Sequence, residues 1–213
     1  MVRRASKKQR GKYTRKRKRV ILIATEGKNK TETTYFSEFN SLFAEVSIVF
    51  ANGNSTDPVK IVQDAINTAK NRGIDHDEGD KMFAVFDTDF SKTKQIEEAR
   101  TLAQKNNIEL ILSNPCFEIW ILLHFRLSTH SFGSNREVLN ELINRWPKYQ
   151  KNIESFEDIF DRLEIAIENS KKLNQFHEDK GSRLQTEWRN PSTDVNKLVE
   201  IINESGGDER QSK

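Results

Sequence analysis

Cysteine is nearly absent: Cys116 is the only one in 213 residues. A lone thiol excludes an intramolecular disulfide framework and any cysteine-rich zinc site, and it points to a reducing, intracellular compartment. Long apolar runs are missing as well. The longest lies around residues 119–125 and is interrupted by His124, well short of the roughly 18 residues that cross a bilayer. Nor does the chain open with the apolar stretch of about 7–15 residues that a secretory signal requires, so a soluble, cytoplasmic protein without a membrane partner is expected. Acids are missing from the first 19 positions, which hold 11 Lys and Arg. The other 194 residues carry 24 Lys and Arg against 32 Asp and Glu, a net of −8, so the overall charge of +3 conceals a basic arm on an acidic body. Thirteen Phe, three Trp and three Tyr exclude a disordered acidic chain for that body.

The first apolar segment, Val20 to Thr25, is a continuous β-branched run of the kind a strand covered on both faces needs. Tyr35, Phe36, Phe39, Leu42 and Phe43 are spaced as one apolar helix face, with Thr31 as a capping signal. Strands are expected again at Val46 to Phe50, Lys81 to Phe86 and Ile108 to Leu112. Helices are expected from Pro58 to Arg72, Ser91 to Asn106 and Pro115 to Leu127, where Asn114 can cap and Pro115 can open the last of them. This alternation predicts an α/β fold with a parallel four-stranded sheet flanked by helices. Beyond Asn135 no strand is evident, and helices at Asn135 to Trp146, Ser155 to Leu173 and Thr193 to Glu204 form a C-terminal helical extension packed on the same core. The expected organisation is a disordered basic arm (1–19), the α/β core (20–130), the extension (131–204) and a disordered tail (205–213).

The informative chemistry is Glu26-Gly27 after the first strand and Asp87-Thr88-Asp89 after the third. In an open parallel sheet, functional groups gather beyond the carboxyl ends of the strands. Side chains two apart on a strand share a face, so Asp87 and Asp89 can reach one centre; Glu26 can join them if the first and third strands are neighbours, about 4.8 Å apart. Carboxylates gathered in this way raise one another's pKa unless a cation neutralises them, and Mg2+ or Mn2+ suits an all-oxygen set that also leaves room for phosphate. Gly27 lets the backbone turn sharply or come close to substrate. The competing reading makes Glu26 a turn cap and the aspartates solvated loop acids.

Glu118 shares a helix face with Ile121, Leu122 and Phe125, so its carboxylate needs a partner: either the acidic site or a cation from the extension. Trp120 and Phe125 read as core residues, His124 as a hydrogen-bonded core histidine, and Cys116 as buried and inert.

These residues, with Lys30-Thr31-Glu32, Tyr35-Phe36, the segment from Ser113 to Phe125, Tyr149, Lys151 and Asn190-Pro191-Ser192-Thr193, make the chain resemble the RloB-like proteins, a family with a TOPRIM-type fold. The resemblance implies that Glu26, Asp87 and Asp89 are metal ligands and catalytic residues. Glu118 and Lys151 are candidate catalytic partners, Lys151 stabilising charge on a phosphate if its loop folds over the sheet edge and otherwise remaining an ordinary surface lysine. Many TOPRIM sequences have an acid four residues after the glutamate. Here that position is Lys30, and Glu32 is either a ligand or a first-turn acid favoured by the helix dipole.

The arm, and within it Arg15, Lys16, Arg17, Lys18 and Arg19, is expected to bind nucleic acid through its phosphates. The leading expectation is a Mg2+-dependent nuclease cutting DNA or RNA. The resemblance further implies an antiviral or abortive-infection effector with an ATPase partner encoded nearby, since this chain has no Gly-x-x-x-x-Gly-Lys-Ser/Thr loop of its own. The alternatives are a noncatalytic nucleic-acid-binding or regulatory subunit and a metal-dependent nucleotide-sugar transferase.

Overall fold

A computed structural model describes residues 17–27, 30–88, 93–150, 154–181 and 189–207. The apolar run after the arm forms β1 (Arg19–Thr25), whose Ile21, Leu22, Ile23 and Ala24 are all buried. It leads to α1 (Lys30–Ser37), α2 (Phe39–Leu42), β2 (Val46–Phe50) and α3 (Pro58–Arg72). Next come a 3-10 turn at His76–Glu78, β3 (Lys81–Asp87), α4 (Thr93–Lys105) and β4 (Ile108–Asn114). The remainder holds α5 (Glu118–Leu123), α6 (Asn135–Arg145), α7 (Glu157–Phe160), α8 (Leu163–Asp179), β5 (Ser192–Thr193) and α9 (Val195–Gly206).

Local signals account for most boundaries. Asp57 accepts the Lys60 amide and Pro58 occupies the first turn of α3, which ends at Gly73 with φ 63°, the left-handed position glycine takes without penalty. The expected single face from Tyr35 to Phe43 is instead divided between α1 and α2. Tyr35, Phe36 and Phe39 are fully buried, whereas Leu42 is 51% exposed.

The expectation of a purely parallel four-stranded sheet is wrong. The sheet has five strands in the order β2-β1-β3-β4-β5. Strands β1 to β4 are parallel, and β5 runs antiparallel to β4, pairing Thr193 with Ser113 and Ser192 with Asn114. Two residues carry no readable periodicity, and after Asn190-Pro191 they look like the start of a helix. Tertiary contacts make them a strand. The Asn190 side chain accepts from Phe132 N at 3.0 Å and donates to Phe132 O at 2.8 Å, His177 Nε2 donates to Pro191 O at 2.8 Å, and the hydroxyls of Ser113 and Thr193 meet at 2.8 Å.

The same pairing explains two shifted helix starts. Asn114 is still in the ladder, so α5 begins at Glu118 rather than at Pro115; Thr193 is in β5, so α9 begins at Val195. At its other end α9 runs to Gly206, two residues beyond the expected Glu204, and Gly206 lies against the Phe43 ring, where a Cβ would collide.

Alternation along the strands divides the core in two. Leu22, Ala24, Met82, Ala84, Phe86 and Leu112 face α3 and α4. Ile21, Ile23, Phe83, Val85 and Ile111 face the opposite layer, built from α1, α2 and α5 to α9. Residues on both sides of position 131 therefore share one cluster.

At the amino ends of β1 and β3, Asp80 gathers four donors. Arg17 approaches both carboxylate oxygens, at 3.1 and 2.6 Å, while Val20 N and Asp75 N donate at 2.8 and 3.0 Å. Burial, the largest single influence, raises the Asp80 pKa, but Arg17 and the two amides outweigh it and hold the carboxyl below its ordinary value. A depressed folded pKa gives stability that is present above the unfolded value of about 3.9 and is lost as pH falls through the folded value. Asp80→Ala strands two amides and should cost about 2–4 kcal/mol in urea denaturation at pH 7. The gap between variant and wild type should narrow as pH drops below about 4.

Candidate functional site

The order β2-β1-β3-β4 places the topological switch between β1 and β3: the chain leaves β1 for one side and β3 for the other. A crevice opens there beyond the carboxyl ends of the two strands. Glu26 and Gly27 follow β1 directly, and Asp87 is the last residue of β3, two positions beyond the Val85 that pairs with Thr25. The condition for bringing Glu26 towards Asp87 is therefore met. Gly27 is needed for close approach to this chain's own backbone: a Cβ there would collide with Asn54 Cα and Gly53 O, and Gly27 N donates to Ser55 O at 3.3 Å.

Alternation from Phe83 and Val85 turns Asp87 towards the α1 and α5 layer. There Phe117 N donates to Asp87 Oδ1 at 2.7 Å. Three further carboxylates lie near enough for their charges to act on Asp87. Glu26 is 7% exposed, Glu32 in the first turn of α1 is 1% exposed, and Glu118 at the start of α5 is 8% exposed. Burial pushes the Asp87 carboxyl well above its ordinary value, the charges of Glu32, Glu118 and Glu26 add to the rise in that order, and the Phe117 amide opposes it. All the side-chain donors are carboxylate oxygens, a set suited to a hard divalent cation. Still, among the described residues no three His, Cys, Asp or Glu side chains stand close enough together to hold one metal ion.

The Glu118 carboxylate has a neutral partner that neither expectation named. Besides facing Asp87, it accepts a 3.0 Å hydrogen bond from the Tyr149 hydroxyl, which comes from the chain beyond α6. Burial first, and the Glu118 charge next, push the Tyr149 hydroxyl above its ordinary pKa, so it keeps its proton and donates. Cys116 is 1% exposed, and burial followed by the Glu118 and Asp87 charges raises its pKa, which keeps the thiol protonated and unreactive.

The reading of the surrounding helix as core is borne out. Trp120 and His124 are fully buried; His124 Nδ1 donates to Trp120 O at 3.1 Å and Nε2 lies 3.3 Å from the Tyr35 hydroxyl. Burial lowers the His124 pKa to about 4, so the ring is neutral at pH 7. Phe125 packs at the edge of the core beneath Arg162, 5.2 Å from its ring centroid.

Asp89, Lys151, Arg15 and Lys16 lie outside the described residues. Of the described basic positions, Arg17 is engaged with Asp80 and with Glu78, the latter at 2.9 Å, while Lys18 and Arg19 are exposed. These three sit at the amino edge of the sheet, separated from Glu26 by the seven residues of β1, a rise of roughly 23 Å. Glu32, expected as either a ligand or a first-turn acid, does lie in the first turn of α1, and its charge also acts on Asp87.

These features define an α/β protein with an enclosed acidic cluster at the switch point of its sheet. A family model described as RloB-like protein matches residues 21–202, and the chain belongs to that family. No curated protein and no solved structure matches it. Among the described residues, no helix is long and apolar enough to cross a membrane.

The raised Asp87 pKa has a thermodynamic sign. Between the unfolded value of about 3.9 and the higher folded value, the folded state binds more protons, so stability falls as pH rises through that window. Asp87→Asn should therefore raise the melting temperature at pH 7 in chelating buffer by about 2–4 °C, the shift that ~1 kcal/mol produces in a chain of this size. An equal gain at pH 4, followed by differential scanning calorimetry, would contradict the electrostatic origin.

Proposed function

We propose that this chain is a Mg2+- or Mn2+-dependent phosphodiester hydrolase acting on DNA or RNA. The observation that carries the reading is the convergence of Glu26, Glu32 and Glu118 on Asp87 at the carboxyl edge of the sheet. An all-oxygen donor set beside a crevice fits a hard divalent ion that also meets phosphate. Such an ion, when bound, supplies Lewis-acid activation of water and neutralises charge on a phosphodiester.

The chain's own residues have separable tasks in this reading. Glu26 and Asp87, with Asp89, hold the cation. The Phe117 amide fixes the Asp87 carboxylate through Oδ1, leaving Oδ2 for a ligand. Glu32 and Glu118 complete the negative field. Lys151 contributes positive charge towards the phosphate, and the basic arm gathers nucleic acid by its backbone. Membership of the RloB-like family supports a role as an antiviral or abortive-infection effector working with an ATPase partner.

A second reading, a noncatalytic nucleic-acid-binding or regulatory subunit, is favoured by the absence of three ligands at metal spacing among the described residues. The two readings part in one assay. Purified protein is incubated with supercoiled DNA, single-stranded DNA and tRNA, with Mg2+, with Mn2+ and with chelator, and bound Mn2+ is measured in parallel. Divalent-dependent cleavage that falls about 100-fold or more in Glu26→Ala and Asp87→Ala is expected. Cleavage unchanged in both variants removes these acids from catalysis, and a protein that binds nucleic acid but neither Mn2+ nor cuts is the noncatalytic subunit.

Removing residues 1–16, which hold eight Lys and Arg, should weaken nucleic-acid binding most at low salt and flatten the dependence of affinity on salt. Fluorescence anisotropy against an end-labelled oligonucleotide at several salt concentrations checks this. An unchanged slope would exclude the arm from binding.

A further inference from the structure

The carboxylate site contains a neutral side chain to which the proposed chemistry gives no task. Tyr149 is 4% exposed, and its hydroxyl donates to Glu118 Oε1 at 3.0 Å. Glu118 opens α5. The phenol oxygen therefore holds the acid at the start of the helix that follows β4.

Its own position is fixed from outside the site. A turn returns Tyr149 N to Trp146 O at 2.9 Å, and the two rings lie 5.8 Å apart. Trp146 in turn packs against Phe125 and Phe156, with centroids 5.8 and 6.0 Å away. Tyr149 is thus a rigid strut between the aromatic layer after α6 and the acidic crevice. A phenol suits this position chemically. It orients a carboxylate through one hydrogen bond without cancelling its charge, whereas a lysine or arginine in the same place would neutralise the field that attracts a cation.

We propose that Tyr149 is a positioning residue of this site: through its hydrogen bond to Glu118 it sets where that carboxylate stands relative to Asp87, and so sets the affinity of the site for a divalent cation. The inference rests on the reading of the acidic cluster as a cation site. Groups that orient ligands from behind typically change metal affinity by about 10–100-fold when removed.

The test is Mn2+ binding to the full chain by isothermal titration calorimetry, with thermal melting alongside and Asp87→Asn as the reference for loss of the site. Wild type binds, Asp87→Asn does not, and Tyr149→Phe binds about tenfold more weakly while melting as a folded protein. In a Glu118→Gln background, the further change Tyr149→Phe has a much smaller effect, because the partner it acts through is already altered. A merely structural tyrosine would lower the melting temperature and leave Mn2+ affinity unchanged; that result overturns the positioning role and leaves the cation site standing. An undiminished effect of Tyr149→Phe in the Glu118→Gln background overturns a role exerted through Glu118. Absence of Mn2+ binding in wild type overturns the cation reading and this inference with it. If Tyr149→Phe does not fold, Trp146→Phe loosens the ring packing that fixes Tyr149 and is measured in the same way: severalfold weaker binding is expected, and unchanged affinity overturns the proposal.

Discussion

The pairing of β1 with β3 is the constraint on which the rest depends. The register of Thr25 against Val85 brings the end of one strand beside the end of the other, and so sets Glu26 and Gly27 next to Asp87. Because β2 lies on one side of this pair and β4 on the other, the connections diverge and leave a crevice between them. Packing secures the arrangement: Gly27 touches the backbone of Gly53 and Asn54, which locks the loop after β1 to the loop after β2.

The chain beyond residue 131 helps to build this edge as well as covering the sheet. Asn190 is bound to Phe132 through both its amide oxygen and its amide nitrogen, and His177 holds the Pro191 carbonyl. Between them they present Ser192 and Thr193 to β4. Ser113, held by Thr193, offers its carbonyl to both the amide and the hydroxyl of Thr88, at 2.8 and 3.1 Å. A continuous set of hydrogen bonds thus runs from the last strand to the residue after Asp87. Tyr149 reaches the same edge from the other side, through Glu118.

Charge is distributed in an equally directional way. The described residues of the basic arm, Arg17, Lys18 and Arg19, lie at the amino edge, where Asp80 ties Arg17 to the starts of β1 and β3. The acids that converge on Asp87 lie at the carboxyl edge.

Much of the fold was readable because its signals are local. A β-branched run, a capped helix with proline in its first turn and a glycine after its last residue each depend on neighbours within a few positions, and β1, α3 and the third and fourth strands follow from them. Glu26 and Asp87 were legible for a related reason: an acid that ends a buried strand must emerge at its carboxyl edge. The sequence by itself therefore determined the α/β alternation, the segregation of charge, the RloB-like family and the edge of the sheet on which the acids lie. Only the tertiary structure decided the fifth strand, since Ser192 and Thr193 are extended solely because Asn114, Ser113, Asn190 and His177 hold them. It alone also decided that Glu32 joins the acids and that Glu118 is met by the neutral Tyr149 rather than by a cation. Those outcomes depend on residues 14 to 80 positions apart in the chain, and no periodicity or short motif encodes contacts made across such distances.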